Sequence, residues 1–294
     1  MEIIQKNSIW KKFQKYLSIS FPTIIFFSIP FQSLAFFLIL RKILISPASL
    51  GGQFLISVLS LIIYSLILRI MDDLKDYKSD MVNFPQRALP KKIIEPRLLV
   101  YSLYALCLFV TLINFSLPQG KYNLIILLYS LLMYKWFYLK RYLQNNILLA
   151  LITHHPIIFF HSLYLANSLF PNAEIPPWPL FLYLLPITNL EISRKIRRKS
   201  EEDAYQTYSK FLGENNSLVF GAITQFLFWG LCVYYWNQLD ISVWKQVLLI
   251  FPAFLLSVVY LFYKKTKFKV LDLALLQYVY QNIALIISSM LVQY

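Results

Sequence analysis

The chain has 294 residues, of which 58% are hydrophobic and 14% charged, and its mean hydropathy is +0.57. That composition excludes a disordered chain, a collagen and a small disulfide-stapled secreted module, and it argues strongly against a water-soluble globule. A formal net charge of +14 would suggest nucleic acid in a soluble protein; here its meaning depends on where the charges lie relative to the apolar segments.

Apolar runs close to the length of a bilayer crossing recur along the chain. Nine are predicted, at 19–40, 51–71, 97–117, 121–139, 146–169, 178–193, 217–238, 243–263 and 268–290. Hydrocarbon offers the backbone no hydrogen-bond partners, so each must be a helix or a strand of a closed barrel. The polar–apolar alternation of barrel strands is absent, which leaves helices. The first 18 residues carry Lys6, Lys11, Lys12 and Lys15, but the run after them is too long and aromatic for a cleavable leader. It leads into Arg41-Lys42 and is read as the first helix. The expected architecture is an all-α membrane protein, nine transmembrane helices in one bundle, forming a single domain over 1–294. Cys107 and Cys232 lie inside apolar segments with no metal-type spacing and read as buried thiols.

Lysine and arginine orient the bundle. With the N-terminus on the cytoplasmic side, basic residues collect before the first helix and around loop 2–3 (Arg69 to Arg97). They collect again at loop 4–5 (Lys135, Lys140, Arg141), loop 6–7 (Arg194 to Lys210) and loop 8–9 (Lys264, Lys265, Lys267, Lys269). Of the 28 basic residues, only Arg41, Lys42, Lys121 and Lys245 fall on the other side. The C-terminus is then outside, the positive charge belongs to the inner face, and the partner is a lipid bilayer rather than nucleic acid. Two inner loops, 72–96 and 194–216, are long and densely charged, which is where function concentrates on a rigid scaffold.

Four of the 14 acidic residues, Asp72, Asp73, Asp76 and Asp80, sit where the second helix leaves the membrane. At about 100° per residue they share roughly a 100° arc of one helical face, and Arg69 lies one turn before Asp73 on that face. Two carboxylates about 6 Å apart repel by about 3 kcal/mol at an effective dielectric of about 20. Something positive must offset the crowding. A hard divalent cation does so, and Mg²⁺ is usually held by one or two carboxylates plus substrate phosphates. The plainer alternative is that the acids pair with Lys75 and Lys78. In loop 6–7, Glu191, Arg194, Lys195 and Arg198 follow i, i+3, i+4, i+7 spacing. They read either as one acid with a cationic comb for phosphate oxygens or as an ordinary Glu191–Lys195 bridge.

The stretch Asp72-Asp73-Leu-Lys-Asp76-Tyr-Lys-Ser-Asp80 with Arg87-Ala-Leu89-Pro90 after it resembles the first signature of the UbiA-type intramembrane prenyltransferase superfamily. That signature is N/D-D-x-x-D-x-x-x-D with a downstream R-x-L-P. Tyr138-Leu-Lys140-Arg141 also resembles a Y-x-K-R element of the family. The resemblance implies nine transmembrane helices and transfer of a prenyl group from a prenyl diphosphate to a membrane-accessible acceptor, often aromatic. It implies Mg²⁺ held between two acidic motifs, with Asp72, Asp73, Asp76 and Asp80 as the first. It further implies that Arg87, Lys140 and Arg141 face the diphosphate, and from their placement Arg69, Arg194 and Lys195 are expected to bind it too. In the second motif the family's D-x-x-x-D becomes Glu191-x-x-x-Lys195: Glu191 remains as a metal ligand and a lysine replaces the other acid, while Glu201, Glu202 and Asp203 lie two to three turns later. Either Arg194 and Lys195 replace a second metal cluster or the reaction is lost or altered.

Other readings stay open beside this one. His154 and His161 share a face of the fifth predicted helix, as acceptor-pocket bases or as helix–helix contacts, and Pro156 is a possible break. Phe109, Tyr129, Phe159 and Tyr164 shelter a carbocation or simply pack. Asp272 is expected to cap the last helix. The competing functions are a same-fold transferase or cyclase using another lipid donor, and a non-catalytic transport or interaction protein. The near absence of mid-span charge argues against a transporter.

Overall fold

The computed structural model describes residues 9–21, 24–46, 50–115, 117–202, 205–263 and 268–291. Lys6, Asp203, Lys264, Lys265 and Lys267, which entered the charge pattern above, lie outside them. Along the chain run α1 (Ile9–Ser20), α2 (Ile24–Ile43), α3 (Gly52–Asn83), α4 (Pro96–Asn114), α5 (Gly120–Tyr134) and α6 (Lys140–Asn145). They are followed by α7 (Ile147–His154), α8 (Pro156–Leu169), α9 (Trp178–Ser193), α10 (Tyr208–Leu212), α11 (Glu214–Gln238), α12 (Val243–Leu261) and α13 (Val270–Met290).

Each predicted apolar segment is helical over most of its described residues, the first one, 19–40, taking in the end of α1 and most of α2. Among the described residues, seven spans are long and apolar enough to cross a membrane, with α7 and α8 counted as one span, Ile147–Leu169. The segments predicted at 121–139 and 178–193 form α5 and α9, of 15 and 16 residues. α5 stops early because Trp136, Phe137 and Tyr138 take left-handed backbone, with φ of 54°, 49° and 58°. L-residues adopt that region at a cost of about 1–2 kcal/mol each. α7 and α8 are separate helices because proline at 156 has no N–H to continue the ladder.

The chain divides into two compact units. Unit 1 comprises residues 1–30 and 51–140. Its α3, α4 and α5 pack on one another, and polar side chains pin the contacts. Tyr64 donates to Asn123 Oδ1 at 2.6 Å, Asn114 donates to Ser60 Oγ at 3.0 Å, and Gln53 donates to Gln119 Oε1 at 2.8 Å. Such bonds hold helices together where lipid supplies no hydrophobic drive. α3 has 32 residues and so runs about 48 Å, well over the roughly 30 Å of hydrocarbon it would have to span. The acidic residues occupy its last turns.

Unit 2 comprises residues 31–50 and 141–294. α9 is its centre, packed by α8, α11 and α13, with α12 against both α11 and α13. Phe228, Trp229, Tyr235 and Trp236 of α11 form an aromatic core with Leu182 and Leu185 of α9 and Ala284 and Leu285 of α13. Gly221 is required for a close approach: a Cβ there would collide with the Tyr260 ring and hydroxyl. Asp272 accepts from the Lys269 backbone N–H at 3.2 Å and so caps α13 as expected. Cys107 is half-buried and Cys232 buried, both as free thiols.

Candidate active site

The acidic motif forms because α3 continues three turns past the end of its apolar stretch. The four carboxylates do not behave alike. Asp73 is buried and doubly held: Arg69 Nη2 lies 2.7 Å from Oδ1 at i, i+4 spacing, and the Tyr16 hydroxyl donates to Oδ2 at 2.8 Å. Burial, reinforced by the Asp73 charge, holds the Tyr16 phenol well above its ordinary range, so it remains a donor. Asp80, also buried, receives Arg87 Nη1 at 2.8 Å on each oxygen.

Arg87 reaches back to Asp80 because the chain turns tightly after α3. The Phe84 N–H closes on Asp80 O at 2.9 Å, the Arg87 N–H on Phe84 O at 3.0 Å, and the Arg87 guanidinium lies 4.4 Å from the Phe84 ring centre. Buried Ala88 and Leu89 anchor the same turn. The R-x-L-P segment is thus a folded clasp on the last aspartate of the motif.

Asp72 and Asp76 are the other pair. The Asp72 side chain is 53% exposed and pairs with Lys75 at 2.7 Å. Lys75 is itself placed over the Trp136 ring, 4.5 Å from its centre, which gives the left-handed turn at 136–138 a part in the site. Asp76 makes no hydrogen bond or ion pair with any described residue. One turn of helix separates it from Asp72, which puts the two carboxylates side by side. Among the described residues no three His, Cys, Asp or Glu side chains converge to hold a metal ion. Lys140 and Arg141 are exposed on the short α6 and make no ion pair among the described residues.

In unit 2, Glu191 ends α9 and is engaged by two cations, as the local-bridge alternative expected. Arg194 donates from Nε and, at 2.9 Å, from Nη2, and Lys195 Nζ lies 2.9 Å away. The backbone folds back so that the Tyr208 N–H donates to Lys195 O at 2.9 Å and Ser209 Oγ accepts from the Arg197 N–H at 2.9 Å. Glu202 is committed to Thr207 and Ser209, at 2.6 to 2.8 Å. Glu201 accepts from the Arg198 N–H at 3.2 Å. The Tyr208 hydroxyl is buried with no hydrogen-bond partner among the described residues. His155 Nε2 lies 2.7 Å from Thr188 Oγ1 of α9, a helix–helix contact, whereas His154 Nδ1 lies 2.9 Å from Ala150 O within its own helix.

Sequence reasoning missed Tyr16 and Tyr208. A signal for the first was available: Ile9, Phe13, Tyr16 and Ser20 recur on one face of an otherwise lysine-rich stretch, so α1 is amphipathic. No comparable signal marks Tyr208.

Together these features define a multi-pass integral membrane protein of all-α build, with an aspartate-rich helix end clasped by arginines. The chain belongs to the UbiA prenyltransferase family, whose model matches residues 30–278. Membership implies prenyl-transfer activity. The fold is similar over 95% of this chain and 98% of the other to a solved structure described as digeranylgeranylglyceryl phosphate synthase in membranes, with a TM-score of 0.59 and 16% identity. At that identity the likeness is one of fold. No curated protein matches the sequence.

Proposed function

We propose that the protein moves a prenyl group from an allylic prenyl diphosphate to an acceptor dissolved in the bilayer, and that Mg²⁺ is held on Asp72 and Asp76. The supporting observation is the unequal state of the four acids. Asp73 and Asp80 are already neutralised by Arg69 and Arg87, whereas Asp76 makes no hydrogen bond or ion pair with a described residue and the half-exposed Asp72 pairs with Lys75 alone. Mg²⁺ keeps most of its shell as water and substrate phosphate and asks the protein for one or two carboxylates. The donor set fits that demand, and it does not fit an all-protein cage.

Bound there, the metal would offset the charge that grows on the departing diphosphate. The chain's own residues do the rest. Asp73 and Asp80 fix Arg69 and Arg87 at the end of α3, so that two guanidinium groups stand at the motif without needing to be recruited. Lys140 adds an ammonium on unit 1 with no ion pair among the described residues. On unit 2, Arg141 likewise has none, and Arg194 and Lys195 share Glu191 as their counter-charge among those residues. That cationic pair suits phosphate oxygens, and on this reading it replaces the family's second metal cluster. We place nine crossings in the bilayer, with the N-terminus cytoplasmic and the C-terminus outside, from the basic-residue asymmetry.

The test is purified protein in detergent with Mg²⁺ and a panel of prenyl diphosphates, scored for diphosphate release with and without aromatic and lipid acceptors. Release that requires Mg²⁺ supports the proposal. No release from any donor would favour the non-catalytic reading.

A further inference from the structure

Two glutamines one turn apart on α13, Gln277 and Gln281, are each 1% exposed, and on both the amide nitrogen and the amide oxygen lack a hydrogen-bond partner among the described residues. Buried polar groups are almost always satisfied, so four orphaned atoms on one helix face call for an explanation. Leucine at either site would avoid the penalty. The side-chain donors of the neighbouring Tyr278, Gln32 and Asn282 are committed elsewhere, and Asn282 Oδ1 is a further buried atom without a hydrogen-bond partner among the described residues. Tyr278 donates to Gln32 Oε1 at 3.0 Å, Gln32 donates to Tyr183 O at 2.6 Å, and Asn282 donates to Tyr278 O at 2.9 Å.

Counting about 1.5 Å per residue from Val270, Gln277 lies roughly 10 Å and Gln281 roughly 16 Å along the helix. Both therefore sit well inside a membrane span, on a helix packed against α9 and α12. The charged residues of α9, α11, α12 and α13 are Glu191, Glu214, Lys245 and Asp272, each confined to a first or last turn. Arg41 and Lys42 likewise end α2. Among the described residues of α9, α11, α12 and α13, no Lys, Arg, Asp or Glu lies at the depth of the glutamines to neutralise an ionised ligand. An amide presents both a donor and an acceptor, and a pair of them matches a group that does the same.

We infer that Gln277 and Gln281 form the polar end of a binding site within unit 2 for the hydroxyl of a neutral, membrane-soluble compound. Resting on the prenyl-transfer reading, this compound is the acceptor, and its class is a phenol or alcohol rather than a carboxylate. A ligand that reaches the site from the bilayer carries its apolar body among the aromatic and aliphatic side chains of unit 2 and its hydroxyl to the amides.

The experiment reads binding alone, with neither donor nor metal present. Full-length protein in nanodiscs is titrated with 2-naphthol and with its methyl ether, 2-methoxynaphthalene, each followed by its own fluorescence. A site built to hydrogen-bond a hydroxyl rejects the analogue that lacks its hydrogen. We expect 2-naphthol to bind about tenfold more tightly than the ether in the wild type, and Gln277→Leu/Gln281→Leu to remove that preference while melting no lower. The single variants Gln277→Met and Gln281→Met, each predicted to lose part of the preference, serve if the double variant fails to fold. Equal binding of the two probes to the wild type would overturn the inference and assign the amides to buried water. A preference that survives in the variants would overturn it as well. Absence of diphosphate release in the earlier assay would instead defeat the prenyl-transfer reading and leave the hydroxyl site standing.

Discussion

Tyr16 donates its phenolic hydrogen to Asp73 across 57 residues of chain, at 2.8 Å, and so ties the amphipathic helix α1 to the acidic end of α3. Asp73 Oδ2 has this bond while Oδ1 has Arg69. Tyr16→Phe keeps the ring packing and deletes only the donor, leaving one buried carboxylate oxygen unmatched. A loss of about 1–3 kcal/mol is expected. Thermal unfolding should show it, and amide exchange should show α1 opening faster while α4 and α5 keep their protection.

Arg87 and Asp80 provide a second stability test. Removing one member of a buried pair leaves an uncompensated charge, which typically costs about 3–5 kcal/mol. Because a third of the Arg87 side chain is exposed to solvent, we expect Arg87→Leu to lie at or just under the bottom of that range. Asp80→Asn added to Arg87→Leu should recover part of the loss. Additive losses in the double variant would mean that the pair is not coupled.

Gly221 faces Tyr260 so closely that no Cβ fits. Overpacking of this kind costs about 1–3 kcal/mol. Gly221→Ala should lower the unfolding midpoint accordingly, and Tyr260→Phe in the same chain should restore some of it by removing the hydroxyl, despite losing the 2.9 Å bond to Ser193. An unchanged midpoint for Gly221→Ala would show that α11 and α12 are less tightly joined than described.

Lys195 stands where an acid is usual in the family resemblance. If Arg194 and Lys195 replace a metal cluster as phosphate-binding charge, Lys195→Gln should raise the KM for prenyl diphosphate about tenfold and leave the Mg²⁺ concentration for half-maximal rate nearly unchanged. A shift in Mg²⁺ dependence with constant KM would contradict that assignment.

Much of this was legible in the sequence because two periodicities are strong. Apolar run length located the helices, and the 3.6-residue spacing put Asp72, Asp73, Asp76 and Asp80 on one face. Pro156 marked the α7–α8 break in advance. What the sequence did not disclose depends on contacts between distant segments. Periodicity places Asp73 and Asp76 on the same arc, yet one is buried under Tyr16 and Arg69 and the other makes no hydrogen bond or ion pair with a described residue. The early end of α5 was hidden for a related reason: Trp136, Phe137 and Tyr138 have no turn chemistry of their own and take left-handed backbone only in the folded unit, where Lys75 sits over the Trp136 ring. Glu191 shows the opposite case. Its bridge to Lys195 follows from i, i+4 spacing alone and is present.

The division of labour among the four aspartates is tested most directly by titrating Mg²⁺ against diphosphate release from an allylic prenyl diphosphate, for wild type and Asp76→Asn. Because Asp76 is half-buried and makes no hydrogen bond or ion pair with a described residue, the variant should unfold at or above the wild-type temperature. It should need at least about tenfold more Mg²⁺ and turn over at least about a hundredfold more slowly, in keeping with the several kcal/mol that metal-borne charge stabilisation supplies. Superimposable Mg²⁺ curves for the two proteins would contradict the account.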